Sequence, residues 1–430
     1  MNHRVDIPHL SPTHPGRRLA SFFLALATLA FAWGCSSSGG TGSDAAKEAA
    51  WTVMVYMAAD NDLWSAGIAD INEMEAVGSS IDVNVVVQAE FKRAYPEGAP
   101  GNAVRGLVTP DDDLLAISSR LSDIGRKDMS DPETLLDFIA WAKESYPAKR
   151  YALVIWNHGN GWKDGDARPL GSRGVILDDS SGSSLMSLPE LAQALALSGV
   201  RLDLVDFDAC YMAMYEVAYE LADLSGYLAF SEDTTPADGN PYTEILWGLS
   251  LNPDMDGREL AMLVVSEYRR CYGTPPATRA TKSAFDLSLA PLLHASITSL
   301  AGTIMSGSDR GADLIGLARE SSVHCSGKRY YHDLGSFLDA LSSASTPGVV
   351  REAALRCRQT LQLAVIDSTS ISVSDSDPAL GMCGLSIYLP EADEATQEDL
   401  SLYGELACNR DRAEGGETWA DLLSAVLLGR

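Results

Sequence analysis

From Trp51 onward, short apolar runs rich in β-branched residues alternate with amphipathic helical stretches, and few folds accommodate that alternation. Trp51-Thr-Val-Met-Val-Tyr-Met57, Val83-Asn-Val-Val-Val87, Tyr151-Ala-Leu-Val-Ile-Trp156, Leu202 to Phe207 and Tyr227 to Phe230 read as strands. Residues 63–77, Pro132 to Ser145 and Met212 to Leu224 read as helices, Pro132 suiting a first helical turn. A strand apolar at nearly every position is covered on both faces, and an intervening helix returns the chain to start a parallel neighbour. The pattern predicts an α/β protein, a three-layer α/β/α sandwich with a mostly parallel central sheet.

Residues 250–370 are mainly helical by pattern. The apolar segment Cys383-Gly-Leu-Ser-Ile-Tyr-Leu389, stopped by Pro390, reads as a strand returning to the same sheet. Residues 251–430 are therefore expected to complete the fold begun by the core, 51–250. The helical spacing of Trp419, Leu422, Leu423, Val426 and Leu427 reads as core packing.

The first 34 residues have the order of an export signal: Arg17-Arg18, an apolar stretch from Leu19 to Trp33, then Gly34-Cys35. About fifteen apolar residues are few for a membrane span. Gly34-Cys35 followed by Ser36 resembles the lipobox of bacterial lipoproteins, which implies lipidation of Cys35 as the mature N-terminus. Ala32 and Trp33 depart from that pattern, so cleavage by the general signal peptidase stays open. Residues 35–50, small and aperiodic after the cysteine, read as a tether. With 32 Lys+Arg against 59 Asp+Glu, the surface repels nucleic acid and favours cationic ligands. Seven cysteines include Cys35, and the other six are too widely spaced to read as a disulfide framework or a structural zinc site.

Two residues share one structural address. His158 and Cys210 each follow the end of an apolar strand, and ligands of open parallel sheets bind beyond the strands' carboxyl ends. A thiol becomes a strong nucleophile with a base in reach, and imidazole can take its proton and later return one. Cys210 also opens a helical pattern, Met214, Val217 and Leu221 with Glu216 and Glu220 between, so a helix N-terminus would favour its thiolate. The N–H groups of Gly159 and Cys210 are candidate oxyanion donors, since glycine permits close approach of main chain. Taken singly, a cysteine at a strand end is as readily a small buried hydrophobe, and His-Gly a turn.

Longer blocks resemble one family. Residues 51–63 (WTVMVYMAADNDL), 131–138 (DPETLLDF), 152–162 (ALVIWNHGNGW), 206–213 (DFDACYMA) with Glu216, 230–233 (FSED) with 239–242 (GNPY), and 384–390 (GLSIYLP) are similar, in order, to the clostripain-like cysteine peptidases. These are bacterial relatives of the caspase, legumain and gingipain fold. The resemblance implies a caspase-like sandwich, a catalytic pair at His158 and Cys210, and cleavage after basic residues, with Asp208 at the floor of the pocket for the residue before the scissile bond (P1). Residues two apart in an extended chain face the same side, so Asp208 and Cys210 can border one cavity. Asp208 reads equally as the N-cap of a helix beginning near Cys210. Ser231 and Asp233, just past the next strand, are candidates for the pocket wall.

The resemblance also implies self-cleavage between the histidine and the cysteine, where Arg168 precedes Pro169 and Arg173–Gly174 is the better bond. Some relatives use calcium, but Asp60-Asn61-Asp62, Asp111 to Asp113 and Asp178-Asp179 lack EF-hand spacing and read as turn or solvated acids, so no metal or other cofactor is expected. His294, His324 and His332 read as structural or surface groups. The expected protein is an exported, lipid-anchored, monomeric endopeptidase of the cell envelope acting on proteins or peptides after Arg, with Lys second. The alternative is a non-catalytic surface lipoprotein using the fold as a binding scaffold. Incubating the purified chain beside its Cys210→Ala variant should yield a new N-terminus at Gly174 in the first alone. Identical fragments from both would remove self-processing.

Overall fold

Alternate side chains of the central strands enter two separate apolar clusters, one on each face of the sheet. Val53, Val55, Met57, Val154, Trp156 and Leu204 point into one; Met54, Tyr56, Leu153, Ile155, Val205 and Phe207 point into the other. Each fully buried branched or aromatic side chain contributes about 1.5–3 kcal/mol, so both faces must be roofed by helices. The computed structural model describes residues 48–92, 101–163, 175–178, 184–275, 277–307, 311–343, 346–374, 377, 379–412 and 416–429. The signal segment, Cys35, nearly all of the tether, Asp179, and the Arg168 and Arg173–Gly174 cleavage positions lie outside them.

The strands in chain order are β1 (Ala49–Ala59), β2 (Val83–Phe91), β3 (Ala103–Leu107), β4 (Ser122–Asp123), β5 (Ala148–Trp156), β6 (Ile176–Asp178), β7 (Ser184–Met186), β8 (Leu202–Asp208), β9 (Ser225–Phe230), β10 (Ala280–Asp286), β11 (His324–Cys325), β12 (Lys328–Asp333), β13 (Val365–Ile371) and β14 (Ser386–Tyr388). Nine of them form the main sheet in the order β13-β10-β9-β8-β5-β1-β2-β3-β4. β9, β8, β5, β1 and β2 run parallel, and antiparallel strands flank them on both sides.

Helices α1 (Trp64–Glu75), α5 (Tyr242–Leu251) and α6 (Gly257–Gly273) cover the first face. Helices α2 (Pro132–Ser145) and α3 (Leu188–Ser198), with Ala290–Ser306 and Gly348–Ala364, cover the second. Local chemistry sets the helix ends. The Asp131 side chain accepts from Glu133 N–H ahead of Pro132, Ser187 and Glu190 form a capping box, and left-handed Gly199 closes α3. The short helix α4 (Tyr215–Glu220) lies between β8 and β9.

The C-terminal half does return to the main sheet, but not through the segment expected. β10 and β13 are the returning strands, and their polar sequences, ATKSAFD and VIDSTSI, hide them from an apolar-run reading. Residues 383–389 instead supply β14, which pairs with β12 in a separate three-stranded sheet. The edge of β9 that such a strand would extend is already taken by β10, with Ser283 opposite Phe230. The pattern reading also missed β3 and β4, short antiparallel strands outside β2.

Glu216, buried at the start of α4, ties that helix to the C-terminal region. One carboxylate oxygen accepts the Tyr388 N–H at 2.9 Å and the Tyr403 hydroxyl at 2.7 Å. Burial pushes its pKa up to about 7, against hydrogen bonds that oppose the rise. The folded protein therefore holds a proton that the unfolded chain releases, so the group's stabilisation is full below pH 4.5 and is lost as pH rises through 7. The whole effect is about 3 kcal/mol. Glu216→Gln should remove it, so the wild-type melting temperature should fall relative to the variant between pH 4.5 and 7.5. Parallel melting curves across that range would dismiss it.

Candidate active site

The pairing of β5 with β8 puts Trp156 opposite Asp208, and Asn157 N–H donates to the Asp208 carbonyl. Two residues further along each chain come His158 and Cys210, which wall one cleft of roughly 220 Å³ with Trp156, Asn157, Asp208, Thr234, Thr235, Pro236, Ala237, Gly239 and Leu63. The loops touch. A Cβ on Gly159 would lie 2.1 Å from the Cys210 carbonyl oxygen, so only glycine fits there. Asn157 holds the first loop down by donating from Nδ2 to the carbonyls of Ala58 and Leu177, both at 2.8 Å.

His158 Nε2 hydrogen-bonds Asp62 Oδ1 at 2.7 Å, the two side chains being 36% and 80% exposed. The bond pulls the Asp62 carboxyl below its usual range. With Nε2–H directed at the carboxylate, the neutral ring carries its lone pair on Nδ1. Asp62 is a partner of the imidazole that the sequence pattern does not reveal, because residues 60–62 read as a turn or cation loop. In fact Asn61 makes the turn, accepting from Leu63 N–H, and α1 begins at Trp64 without a side-chain cap. The available signal was topological: Asp62 follows the carboxyl end of β1, and β1 pairs with β5.

Cys210 does not begin a helix. Tyr211 has a left-handed φ of 59°, and Tyr211 N–H and Ala213 N–H donate to the carbonyls of Asp233 and Ser231. These bonds hold the chain away from helical geometry until Tyr215. The macrodipole argument for the thiolate falls with the expected helix 212–224. A backbone donor replaces it: Thr235 N–H points at Cys210 Sγ over 3.2 Å. Burial raises the Cys210 pKa, the Thr235 bond opposes the rise, and Asp208 and Asp233 add to it. The resting group is a thiol. No hydrogen bond joins it to His158 here, and catalytic hydrogen bonds commonly tighten only with substrate bound. Among the described residues, no group takes up the N–H of Gly159 or of Cys210.

Asp208 is 4% exposed and lines the cleft. Its Oδ2 accepts Asn240 N–H at 3.0 Å and the Tyr242 hydroxyl at 2.8 Å, and no described cation pairs with it. Its neighbour on the same face, Asp206, takes the buried Lys282 ammonium at 2.7 Å and the Asn240 amide at 2.8 Å. Asp208 is thus no helix cap, since its carboxylate is engaged across the sheet face and α4 starts well beyond it. Ser231 and Asp233 are not cleft wall. Ser231 Oγ donates to the Thr281 carbonyl, fastening β9 to β10, and Asp233 is ion-paired with Arg279 and accepts Ser326 N–H. Thr234 to Ala237 and Gly239 form the wall in their place.

Asp60 and Asp178, expected among turn and solvated acids, are buried, and with Glu90 they bring carboxylate oxygens within 4.8 Å of one another, a group able to hold a metal ion. His294 bonds the Tyr215 hydroxyl and the Asp411 carbonyl, and His332 bonds the Ser322 hydroxyl, as structural groups do. Cys210, Cys325, Cys357, Cys383 and Cys408 are free thiols.

The profile of the clostripain family matches residues 55–423. The chain belongs to the clostripain family of cysteine peptidases. Clostripain from Hathewaya histolytica is 30% identical over 218 residues, which are 46% of this chain and 39% of that protein. The chain thus spans about two fifths of that relative's length. Among solved structures, a secreted C11 cysteine protease from Bacteroides thetaiotaomicron in complex with an irreversible peptide inhibitor superposes with a TM-score of 0.64 at 21% identity, covering 84% of this chain and all of that one. An inactive zymogen C11 protease from Parabacteroides distasonis gives 0.64 at 21%, covering 85% and 98%. These likenesses bear out the caspase-like sandwich.

For this clostripain-family chain, the Asp62 contact is exposed, and such pairs contribute about 0.2–1 kcal/mol. Asp62→Asn should therefore slow alkylation of Cys210 by iodoacetamide near neutral pH only about two- to fivefold, followed by mass spectrometry of the Cys210 peptide. An unchanged rate would leave Asp62 without influence on the pair.

Proposed function

We propose that this chain is an exported cysteine endopeptidase that hydrolyses bonds after Arg, with Lys second, through Cys210 and His158. The observation that carries the proposal is a buried carboxylate, Asp208, with no cation paired to it among the described residues, in the cleft that the thiol and the imidazole border. An uncompensated buried charge is costly, and a P1 guanidinium or ammonium would supply the missing partner. Lys282 is paired with Asp206, and no described cation is paired with Asp208.

Burial chiefly disfavours the resting thiolate, and the same acidic charge adds to that, a part that substrate can offset. Asp208 and Asp233 repel a thiolate; a P1 cation on Asp208 offsets the nearer repulsion as the scissile carbonyl arrives. His158 Nδ1 then takes the thiol proton as Sγ bonds the carbonyl carbon. The carbonyl π pair moves to oxygen, met by the N–H groups of Gly159 and Cys210. Collapse expels the amine, which takes the proton from His158, and leaves an acyl-enzyme. Water, deprotonated by His158, releases the acid and restores the thiol. Asp62 holds the ring in the tautomer this cycle needs.

The order of residues 1–34 supports export, and the similar Bacteroides protein is described as secreted. Gly34-Cys35 supports a lipid anchor on the cell envelope. Peptides differing only in an Arg, Lys or Asp at P1 test the proposal. Cys210→Ala should abolish turnover. Asp208→Asn should lower kcat/KM for Arg roughly 10- to 150-fold, the worth of a hydrogen bond to a charged group. Arg cleavage untouched in Asp208→Asn would make that residue structural. No turnover by the wild-type chain, even after processing, would favour the binding scaffold.

A further inference from the structure

Asp208 does not present both its oxygens to a ligand. Oδ2 already accepts two donors, from Asn240 and Tyr242, whereas no described residue bonds Oδ1. A guanidinium fork across both oxygens is therefore hindered, and Asp208 by itself would distinguish Arg from Lys poorly. The discrimination needs a second surface, and the register supplies one. Trp156, the cross-strand partner of Asp208, faces the same side of the sheet and borders the same cleft.

Trp156 is held from behind. Its indole N–H donates to Asp70 Oδ2 at 2.6 Å, and Asp70, 2% exposed on α1, has no other side-chain hydrogen bond among the described residues. This is an unusual place for a carboxylate. Burial, then the charges of Asp208 and Glu73, push the Asp70 pKa well above the usual carboxylate range, so a cation entering the cleft would favour the ionised form of Asp70. Once ionised, a carboxylate bonded to an indole N–H also sends electron density into the ring, which strengthens the ring's attraction for a cation.

We propose that Trp156, anchored by Asp70, is the wall on which a P1 guanidinium lies flat while one edge N–H donates to Asp208 Oδ1, and that this wall sets the preference for arginine over lysine. The proposal rests on the reading of the cleft as a site for basic P1 residues. A guanidinium is planar, weakly hydrated and stacks on aromatic faces; an ammonium is a compact, strongly hydrated charge that gains less from the ring.

The test uses the full chain and three fluorogenic peptides identical except for Arg, Lys or citrulline at P1, citrulline being a planar neutral analogue of Arg. The readout is the ratio of kcat/KM for Arg to that for Lys, normalised to competent Cys210 by alkylation. Trp156→Leu should lower the ratio roughly three- to thirtyfold, the range of one sheltered cation–aromatic contact. Trp156→Phe should restore part of it. Asp70→Asn keeps an acceptor for the indole but cannot ionise when a cation enters the cleft, and should lower the ratio on the order of threefold, with citrulline turnover little changed.

A merely structural Trp156 would lower all three substrates together and leave the ratio within about twofold of wild type, which would overturn the proposal. Should Trp156→Leu not fold, Trp156→Phe and Asp70→Asn decide by the same ratio. Failure of the basic-P1 reading is separately visible. A wild-type chain that prefers citrulline to both Arg and Lys would show it before any substitution, and would overturn the wall along with it.

Discussion

The parallel pairing of β5 with β8, with Trp156 opposite Asp208, is the contact on which the site depends. It brings together four side chains from two segments far apart in sequence. Trp156 and Asp208 end the ladder on one face, while His158 and Cys210 follow in the loops. Because side chains alternate along a strand, a slip of one residue would send Asp208 into the opposite cluster and take Cys210 out of the cleft. That register is enforced from both sides, since each face of the sheet is packed with apolar side chains that have no other place to go. Gly159 then sets how closely the loops approach, lying against the Cys210 backbone where any side chain would collide.

Charge is the second organising principle. Asp70, Asp206 and Asp208 sit beneath the parallel strands' carboxyl ends on the α1–α5–α6 side, and Lys282 balances Asp206 alone. A core would ordinarily exclude such groups. Their retention is intelligible if the missing cation arrives with a ligand, and the stability they cost is then recovered in binding. The thiol belongs to the same arrangement. Burial and, less, the neighbouring acids raise its pKa, and a backbone donor, Thr235, comes from the loop after β9. That loop is fixed in turn by Ser231 and Asp233, bonded to Thr281, Ser326 and Arg279. These two residues shape the site without lining it.

Much of this was legible in the chain. Apolar runs such as Tyr151 to Trp156 mark strands covered on both faces, and Asp131-Pro132 marks a helix start, because burial and capping are local consequences of residue type. His158, Cys210 and Gly159 could be named from their position past strand ends, and Asp208 from the family resemblance. Asp62 could not, because its partner is 96 residues away and an acid after a strand serves equally well as a turn. The helix expected at Cys210 failed because hydrogen bonds to Ser231 and Asp233 outweigh local spacing. β10 was invisible since Lys282 interrupts its apolar pattern, and that lysine is tolerated only because Asp206 awaits it.

Residue order alone determined which segments become strands and helices, that the central strands run parallel under two roofs, and which loops carry Cys210 and His158. Those outcomes depend on periodicity and residue type, which are written along the chain. Tertiary structure alone decided the third member beside the imidazole, the backbone donor to the sulfur, the destination of β14, and the burial of Asp70 against Trp156. Each of these joins groups far apart in sequence, and it is the packing of elements against one another that fixes which distant groups meet.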